Sequence, residues 1–315
     1  MPTPPAGAMR TPLVSINIPC YRQLDYARRC VASILAQSLQ DFEVTLVDDG
    51  ASDEYRTYVA SLGDARVRYV RNPERLGAMA NMFQVIGMGS GAYVLAFHED
   101  DLLGRHYLMA AVGVLEQHPD CGFVAAELRE FRQESDADLA CEADPAACEY
   151  WASPADFARA VCRGANPMFG SVVYRRAALP SGPPPLGEYG TLMDRPFLMM
   201  VLGRWTGALV RQPLVWYRHH GDTDQRHHGM RADHILELLR AYRDALPQPL
   251  SAADRALLHH YAGYWLIQLY RLLPAEAQPP LPGFVFRAWR EGLYNPMRER
   301  GVGRAGLLRA MVTGL

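Results

Sequence analysis

The first 130 residues alternate short apolar runs of strand length with longer segments of helical periodicity. The runs "LVSINI" (13–18), "FEVTLVDD" (42–49) and "AYVLAF" (92–97) are predicted buried strands, and "YARRCVASILAQS" (26–38) has apolar residues at helical spacing. Strands that alternate with helices form a parallel sheet covered on both faces. The sequence therefore predicts an α/β fold with a mostly parallel sheet flanked by helices.

Composition limits the kinds of partner that the protein can bind and the cellular compartment in which we expect it. A formal net charge of -2, with arginine spread along the chain, indicates no nucleic-acid partner, because such partners require a concentrated basic surface. The six cysteines form neither a CxxC pair nor a regular framework, which favours reduced thiols. No stretch has the length and apolar content of a signal peptide or a bilayer span, so we expect a cytoplasmic protein.

The alternation breaks near residue 131. Residues 132–151 are acidic and rich in small residues, which is typical of an exposed loop or flap. Further strands are predicted at "GSVVYRR" and "ALVRQPLVWYR", with a helix near "MDRPFLMMVLGR" between them, and the rest of the chain is predicted to be helical. We expect a disordered N-terminus at 1–11, a main domain at 12–222 and a helical C-terminal extension at 223–315.

Polar residues lie at the ends of these three predicted strands: "PCYR" follows "LVSINI", "DDGASD" ends and follows "FEVTLVDD", and "HEDD" follows "AYVLAF". Ligands of parallel sheets collect beyond the carboxyl ends of the strands. Asp49, fixed at such an end, can accept a hydrogen bond from the N3–H of uracil or thymine, which cytosine lacks. The alternative is that Asp48 and Asp49 only cap a helix or form a turn.

The run "HEDD" combines His98 with three adjacent acids, Glu99, Asp100 and Asp101. Adjacent carboxylates raise one another's proton affinity unless a cation or hydrogen-bond donors lie close by. Two or more carboxylates at a strand end suit a divalent cation such as Mg²⁺, which proteins hold through one or two carboxylates and substrate phosphates. The alternative is a solvated acidic turn.

Two further patterns are similar to known binding motifs but predict neither a dinucleotide site nor a zinc site. The segment "GMGSGA" (87–92) is similar to a dinucleotide-binding loop, but it follows a predicted helix and precedes a strand, so we expect its glycines to end the helix. The histidine clusters "RHHGD" and "QRHHG" lack the i, i+4 pairing of a helical zinc motif.

The order of the motifs resembles the family 2 glycosyltransferases, inverting enzymes of the GT-A fold that use nucleotide-activated sugars. The resemblance covers residues 12–130, through "VSINIPCYRQ", "LVDDGASD", "NPERLGAMANM" and "GAYVLAFHEDDLL", and extends more loosely over 165–222. It implies a Rossmann-like GT-A fold with a catalytic domain at 12–222. Residues 12–130 form the nucleotide-binding half in this mapping, and 131–222 form the acceptor half.

The resemblance implies a donor nucleotide at the ends of the first two strands. In this mapping Pro19 and Tyr21 line the uridine pocket, and Asp49 binds the base with Asp48 beside it. The implied donor is a UDP- or dTDP-sugar. The implied acceptor is a hydroxyl group of a saccharide, a lipid-linked molecule or a small molecule.

The family's DxD motif maps to His98, Glu99 and Asp100. The mapping implies that Asp100 binds Mg²⁺ or Mn²⁺ and that His98 and Glu99 contact the nucleotide. A histidine stands here where the family has its first acid.

Two further roles come from the later part of the resemblance. "MDRPFLM" is similar to the family's acidic residue at a helix start, which makes Asp194 the catalytic base, although Met193 replaces the usual preceding glutamate. "WYRHHGDT" resembles a segment that places His220 near the diphosphate and the metal. The alternative for His220 is a histidine in a polar loop.

Other functions and partners stay open at this stage. A nucleotidyltransferase requires a glycine-rich basic loop that "NIPCYRQ" lacks, whereas His98 and Met193 leave room for a non-catalytic nucleotide-sugar-binding scaffold. The arginine- and leucine-rich segment from Phe286 to Met311 is compatible with peripheral contact at the inner face of a membrane. The alternative is a helical lid on the catalytic domain.

Overall fold

The computed structural model describes residues 11–50, 52–133, 137–140, 147–182, 185–220, 230–273 and 277–295. The predicted disorder at the N-terminus, the "QRHHG" cluster and the C-terminal segment from residue 296 onward lie outside the described residues, apart from Thr11.

Strands and helices alternate through the first half of the described chain. The strands are β1 (Val14–Cys20), β2 (Phe42–Asp48), β3 (Val67–Arg71), β4 (Tyr93–Ala96), β5 (Leu102–Leu103), β6 (Cys121–Phe131), β7 (Cys148–Trp151), β8 (Val172–Arg175) and β9 (Thr206–Arg218). The helices are α1 (Leu24–Leu35), α2 (Glu54–Leu62), α3 (Ala78–Ile86), α4 (Tyr107–Gln117), α5 (Pro154–Cys162), α6 (Leu186–Tyr189), α7 (Asp194–Leu202), α8 (Ala232–Ala245), α9 (Ala252–Arg271) and α10 (Leu281–Arg290).

The sheet has the strand order β3-β2-β1-β4-β8-β6-β9-β5. Its first four strands are parallel, whereas β8 pairs antiparallel with both β4 and β6, and β5 pairs antiparallel with β9. The predicted mostly parallel α/β sheet flanked by helices is confirmed. Because β1, β2 and β4 are parallel neighbours, their carboxyl ends meet at one edge of the sheet, which we call the C-edge.

The central strands are apolar because helices cover both faces of the sheet. Val14, Ile16 and Ile18 of β1 are fully buried. Ser15 and Asn17 of the same strand are polar and also fully buried, and Asn17 Nδ2 donates to the carbonyl oxygens of Val85 (2.9 Å) and Met88 (3.1 Å). A buried amide that binds two helix-end carbonyls satisfies groups that would otherwise lose their hydrogen bonds.

The segment "GMGSGA" ends a helix, as predicted. Helix α3 stops at Ile86, and β4 begins at Tyr93. Gly89 has φ +82, a conformation that favours glycine. At Gly91 a Cβ atom would lie 2.6 Å from the backbone nitrogen of Ser15, so this glycine permits close approach to β1.

The chain divides into two compact units. The first comprises Met1–Cys148, Phe169–Leu179 and Leu209–Arg218, and the second comprises Glu149–Met168, Pro180–Ala208 and His219–Leu315. Both units are discontinuous in sequence, and the predicted boundaries at residues 130 and 222 stay predictions.

The second unit contains helices α5 to α10. Within it, Arg159 of α5 forms a two-pronged ion pair with Asp254 of α9, with Nε 2.8 Å from Oδ1 and Nη2 3.1 Å from Oδ2. Among the described residues, none of the helices combines the length and apolar character that a bilayer span requires.

The predicted acidic loop over 132–151 ends sooner than expected, because its last four residues form β7. Trp151 is almost fully buried and packs edge-on against Phe157 of α5, with ring centroids 5.0 Å apart. One aromatic anchor inside an otherwise polar stretch thus determines local structure that the composition of the stretch does not indicate.

Candidate functional site

Tyr21 lies at the C-edge, directly after β1, with its ring partly exposed. Its backbone N–H donates to Glu99 Oε1 at 2.7 Å. The guanidinium carbons of Arg75 and Arg22 lie 4.4 and 5.0 Å from the centroid of its ring. Arg22 has φ +59, an uncommon conformation for a residue other than glycine. Two loops thus place positive charge on one aromatic ring. Pro19, half-buried in β1, precedes them.

Asp49 connects the end of β2 to the loop before α3. Its Oδ1 accepts hydrogen bonds from Asn72 Nδ2 and the Leu76 N–H, and its Oδ2 accepts one from the Gly77 N–H, all at 2.8 Å. An ionised carboxylate has about four lone-pair positions, so these three donors leave capacity for a fourth. This geometry is compatible with the predicted contact to an N–H of a base.

Asp48 faces inward and is only 1% exposed. Its Oδ1 accepts from the Gly50 N–H, and its Oδ2 accepts from the Tyr69 hydroxyl, both at 2.8 Å. Arg71 lies nearby, with Nε 3.7 Å from Oδ2. These contacts match the turn alternative for Asp48, and its role in nucleotide binding stays a prediction.

Glu99 also faces inward and is 8% exposed. Its carboxylate accepts hydrogen bonds from the Tyr21 N–H and from the Tyr55 hydroxyl. Burial raises the pKa of Glu99 to about 7, and the two hydrogen bonds oppose that rise. Through these hydrogen bonds Glu99 connects the loop after β4 to the end of β1 and to α2. Its contact with a nucleotide stays a prediction.

His98, Asp100 and Asp101 form a cluster after β4 that could hold a metal ion, because their ligand atoms lie within 4.8 Å of one another. Asp101 is 1% exposed, and burial raises its pKa. Its Oδ1 accepts a hydrogen bond from the backbone N–H of Arg218 at 2.9 Å, and its Oδ2 lies 3.1 Å from His98 Nδ1. Imidazole nitrogen and carboxylate oxygen are donor types that fit a divalent cation.

Arg218 received no role from the sequence, and Asp101 received only that of an acid available to compensate for the missing first acid at His98. Asp101 carried a signal, because it is the third acid of "HEDD". Arg218 carried none, since it meets Asp101 from 117 residues away in the chain. Its Nε also donates to the Asp100 carbonyl oxygen at 2.7 Å.

Asp194 and His220 belong to the second unit. Asp194 is the first residue of α7, as predicted, and its Oδ1 accepts a hydrogen bond from the Arg195 N–H at 3.0 Å. A carboxylate is stabilised at a helix N-terminus by the helix dipole. His220 follows β9 and is half-buried. The roles of both residues stay predictions.

Comparison with known proteins gives a family match over the region of this site. Residues 15–171, about half of the chain, match the family described as glycosyl transferase family 2. A hyaluronan synthase of Pasteurella multocida is 35% identical over 97 residues, which are 30% of this chain and 10% of the relative. An Escherichia coli protein provisionally named as a colanic acid biosynthesis glycosyl transferase is 33% identical over 92 residues, which are 29% of this chain and 33% of the relative. The matched region thus spans a third or less of the length of these relatives.

Solved structures resemble this chain over almost its whole length, among them the following two. TarS residues 1–349 of S. aureus in complex with UDP matches with a TM-score of 0.60 and 13% identity, over 95% of this chain and 87% of that chain. The mannosyltransferase PcManGT of Pyrobaculum calidifontis, in complex with GDP-Man and Mn²⁺, matches with a TM-score of 0.52 and 19% identity, over 96% and 87%. Such distant similarity concerns the fold, and the predicted GT-A fold is confirmed.

Proposed function

Because the chain belongs to glycosyl transferase family 2, we propose that it transfers a sugar from a UDP- or dTDP-sugar to an acceptor hydroxyl with inversion. The observation that carries the proposal is the grouping of Tyr21, Asp49 and the His98–Asp100–Asp101 cluster at the ends of three parallel strands. Ligands of α/β sheets bind at this edge. The relatives named for hyaluronan and colanic acid support a role in polysaccharide biosynthesis.

We assign binding of the donor's nucleobase to Asp49. Its Oδ2 has capacity for an N–H of uracil or thymine, and Tyr21 lies at the end of the neighbouring strand β1. The guanidinium groups of Arg22 and Arg75 bring positive charge to the place where an anionic nucleotide must enter. The complex of TarS with UDP supports a uridine nucleotide.

A divalent cation, Mg²⁺ or Mn²⁺, fits the acidic cluster. Asp100 would hold it, and His220 is the further ligand that the family resemblance implies. When bound, such an ion neutralises negative charge that develops on a departing diphosphate. The complex of PcManGT with Mn²⁺ supports this assignment.

The acceptor chemistry is assigned to Asp194. The acceptor oxygen attacks the anomeric carbon as the bond from that carbon to the diphosphate oxygen breaks, and the bonding electrons leave with the diphosphate. Asp194 takes the proton from the attacking hydroxyl as general base. A single displacement from the opposite face inverts the anomeric configuration.

Asp194→Asn tests this assignment, because the amide keeps the size of the side chain and cannot accept the proton. We expect kcat to fall by roughly a hundredfold or more, while the Kd for UDP stays unchanged. Asp233→Asn is the matched control, since Asp233 also lies in the first turn of a helix of the second unit. Turnover and UDP affinity are measured with donor and acceptor panels. Near-normal turnover of Asp194→Asn would remove this residue from the mechanism.

Peripheral membrane contact is assigned to α10. Phe286 and Trp289 are 57% and 46% exposed, their ring centroids lie 5.4 Å apart, and Arg290 is exposed beside them. Aromatic and arginine side chains on one helix suit an anionic lipid surface. We expect the protein to sediment with anionic vesicles at low salt and Trp289→Ala to sediment less. No sedimentation of the wild-type protein at low salt contradicts this contact.

A further inference from the structure

We propose that Asp101 orients His98 as a nitrogen ligand and that this pair makes the metal site prefer Mn²⁺ or Co²⁺ to Mg²⁺. The inference rests on the proposed function, which assigns a divalent cation to Asp100. It concerns the position at which this chain has histidine where the family has an acid.

The first step concerns the proton on the imidazole ring. His98 Nδ1 lies 3.1 Å from Asp101 Oδ2, and Asp101 Oδ1 accepts the Arg218 N–H at 2.9 Å. A carboxylate placed beside one nitrogen of an imidazole accepts the N–H of that nitrogen, which is the usual arrangement behind a metal-binding histidine. The hydrogen of the neutral imidazole is therefore assigned to Nδ1, so Nε2 carries the lone pair that can bind a metal.

The second step concerns how firmly the pair is held. Arg218 is fixed by its bond to the Asp100 carbonyl oxygen and by two aromatic rings, since its guanidinium carbon lies 4.5 Å from the Phe131 centroid and 4.7 Å from the Tyr26 centroid. A Cβ atom at Gly170 would lie 3.2 Å from His98 Nδ1, so glycine leaves room for the ring. A carboxylate that fixes a histidine in this way raises its basicity as a ligand.

The third step concerns the choice of metal. Mg²⁺ takes oxygen ligands and retains water, whereas imidazole nitrogen suits first-row transition metals. A site built from His98 and Asp100 is therefore more selective against Mg²⁺ than a site of two carboxylates. Restoring an acid at residue 98 should restore oxygen coordination and reduce the selectivity.

Mn²⁺ binding to the purified full chain, measured by electron paramagnetic resonance with and without saturating UDP, tests the role of His98. We expect His98→Ala to weaken Mn²⁺ binding by roughly ten- to a hundredfold. Competition with Mg²⁺ should show that His98→Asp reduces the preference for Mn²⁺ at least about tenfold. His106→Ala is the matched control, because His106 Nδ1 also has a side-chain partner, Ser38 Oγ at 3.0 Å, away from the cluster. It should bind Mn²⁺ as the wild-type protein does.

Asp101→Asn tests the positioning step through the tautomer of His98. The Asn oxygen must accept the Arg218 N–H, so its amide group turns towards His98 and donates to Nδ1. Nitrogen NMR should show the ring hydrogen on Nδ1 in the wild-type protein and on Nε2 in the variant. A merely structural role for Asp101 leaves the tautomer unchanged, and that result overturns the positioning role.

The outcomes separate this inference from the proposed function. If UDP binds and His98→Ala binds Mn²⁺ as tightly as the wild-type protein, the inference is wrong and the proposed function stands. If Mn²⁺ binds through His98 and no nucleotide binds, the metal site is supported and the proposed function is contradicted. Both His98 variants remain informative if Asp101→Asn fails to fold, because His98 is 30% exposed and Asp101 is buried.

Discussion

Glu99, Asp100 and Asp101 are neighbours in sequence but lie in different surroundings. Glu99 accepts hydrogen bonds from Tyr21 and Tyr55, Asp101 accepts one from Arg218, and Asp100 keeps partial exposure. Charge repulsion within the run is thus reduced by donors that come from distant parts of the chain. The surroundings of each acid, and not its place in a motif, determine which of them can reach a ligand.

Glu99→Gln is expected to flatten part of the pH dependence of stability. Burial raises the pKa of Glu99 from 4.5 to about 7, so the folded protein holds this proton more tightly than the unfolded chain. The contribution of Glu99 to the free energy of unfolding is therefore fully present below the unfolded pKa and falls as pH rises through the window to about 7. The slope reaches about 1.4 kcal/mol per pH unit. Glutamine has the same shape and does not titrate.

Urea unfolding at pH 5, 6, 7 and 8 measures this effect. The difference in free energy of unfolding, Glu99→Gln minus wild type, should increase with pH and level off above about pH 7. Comparing the two proteins cancels the titration of other groups. Parallel profiles for the two proteins would show that Glu99 titrates alike in the folded and unfolded states.

At the scale of elements, β1 and β4 approach each other closely at their amino ends, opposite the C-edge. Gly91 precedes β4, and its N–H donates to Ser15 Oγ of β1 at 2.8 Å. The strands themselves were predictable, because buried parallel strands form continuous apolar runs and the helices between them have regular spacing. The contact of Trp151 in β7 with Phe157 in α5, in contrast, is one that no local pattern encodes.

Gly91→Ala is expected to destabilise the protein by about 1 to 3 kcal/mol. The new Cβ atom would lie 2.6 Å from the Ser15 backbone nitrogen, and backbone atoms of a central strand cannot move aside easily. Gly113→Ala is the control, because nothing lies within 4 Å of its added Cβ in α4. That change should be neutral or stabilise the helix by up to about 1 kcal/mol. Equal stabilities of the two variants in urea unfolding would contradict the close packing at Gly91.

At the scale of the whole molecule, the sheet and the acids at its edge were predictable from the sequence. The acids were predictable because they follow directly after apolar strands that meet at one edge. The contact of Arg218 with Asp101, and the assembly of the second unit from three separate segments, were not. Both involve contacts between residues far apart in the chain, as Arg159 and Asp254 are, whereas periodicity reports only local structure.

The most direct test of the account is release of the nucleoside diphosphate from a panel of UDP- and dTDP-sugars, with and without acceptors. The wild-type protein in Mn²⁺ should release UDP or dTDP from at least one donor, slowly to water and faster to an acceptor. Excess EDTA and Asp100→Ala should each lower the rate by roughly a hundredfold or more. Release that continues unchanged in EDTA contradicts the metal assignment. No release from any donor contradicts the proposed sugar transfer.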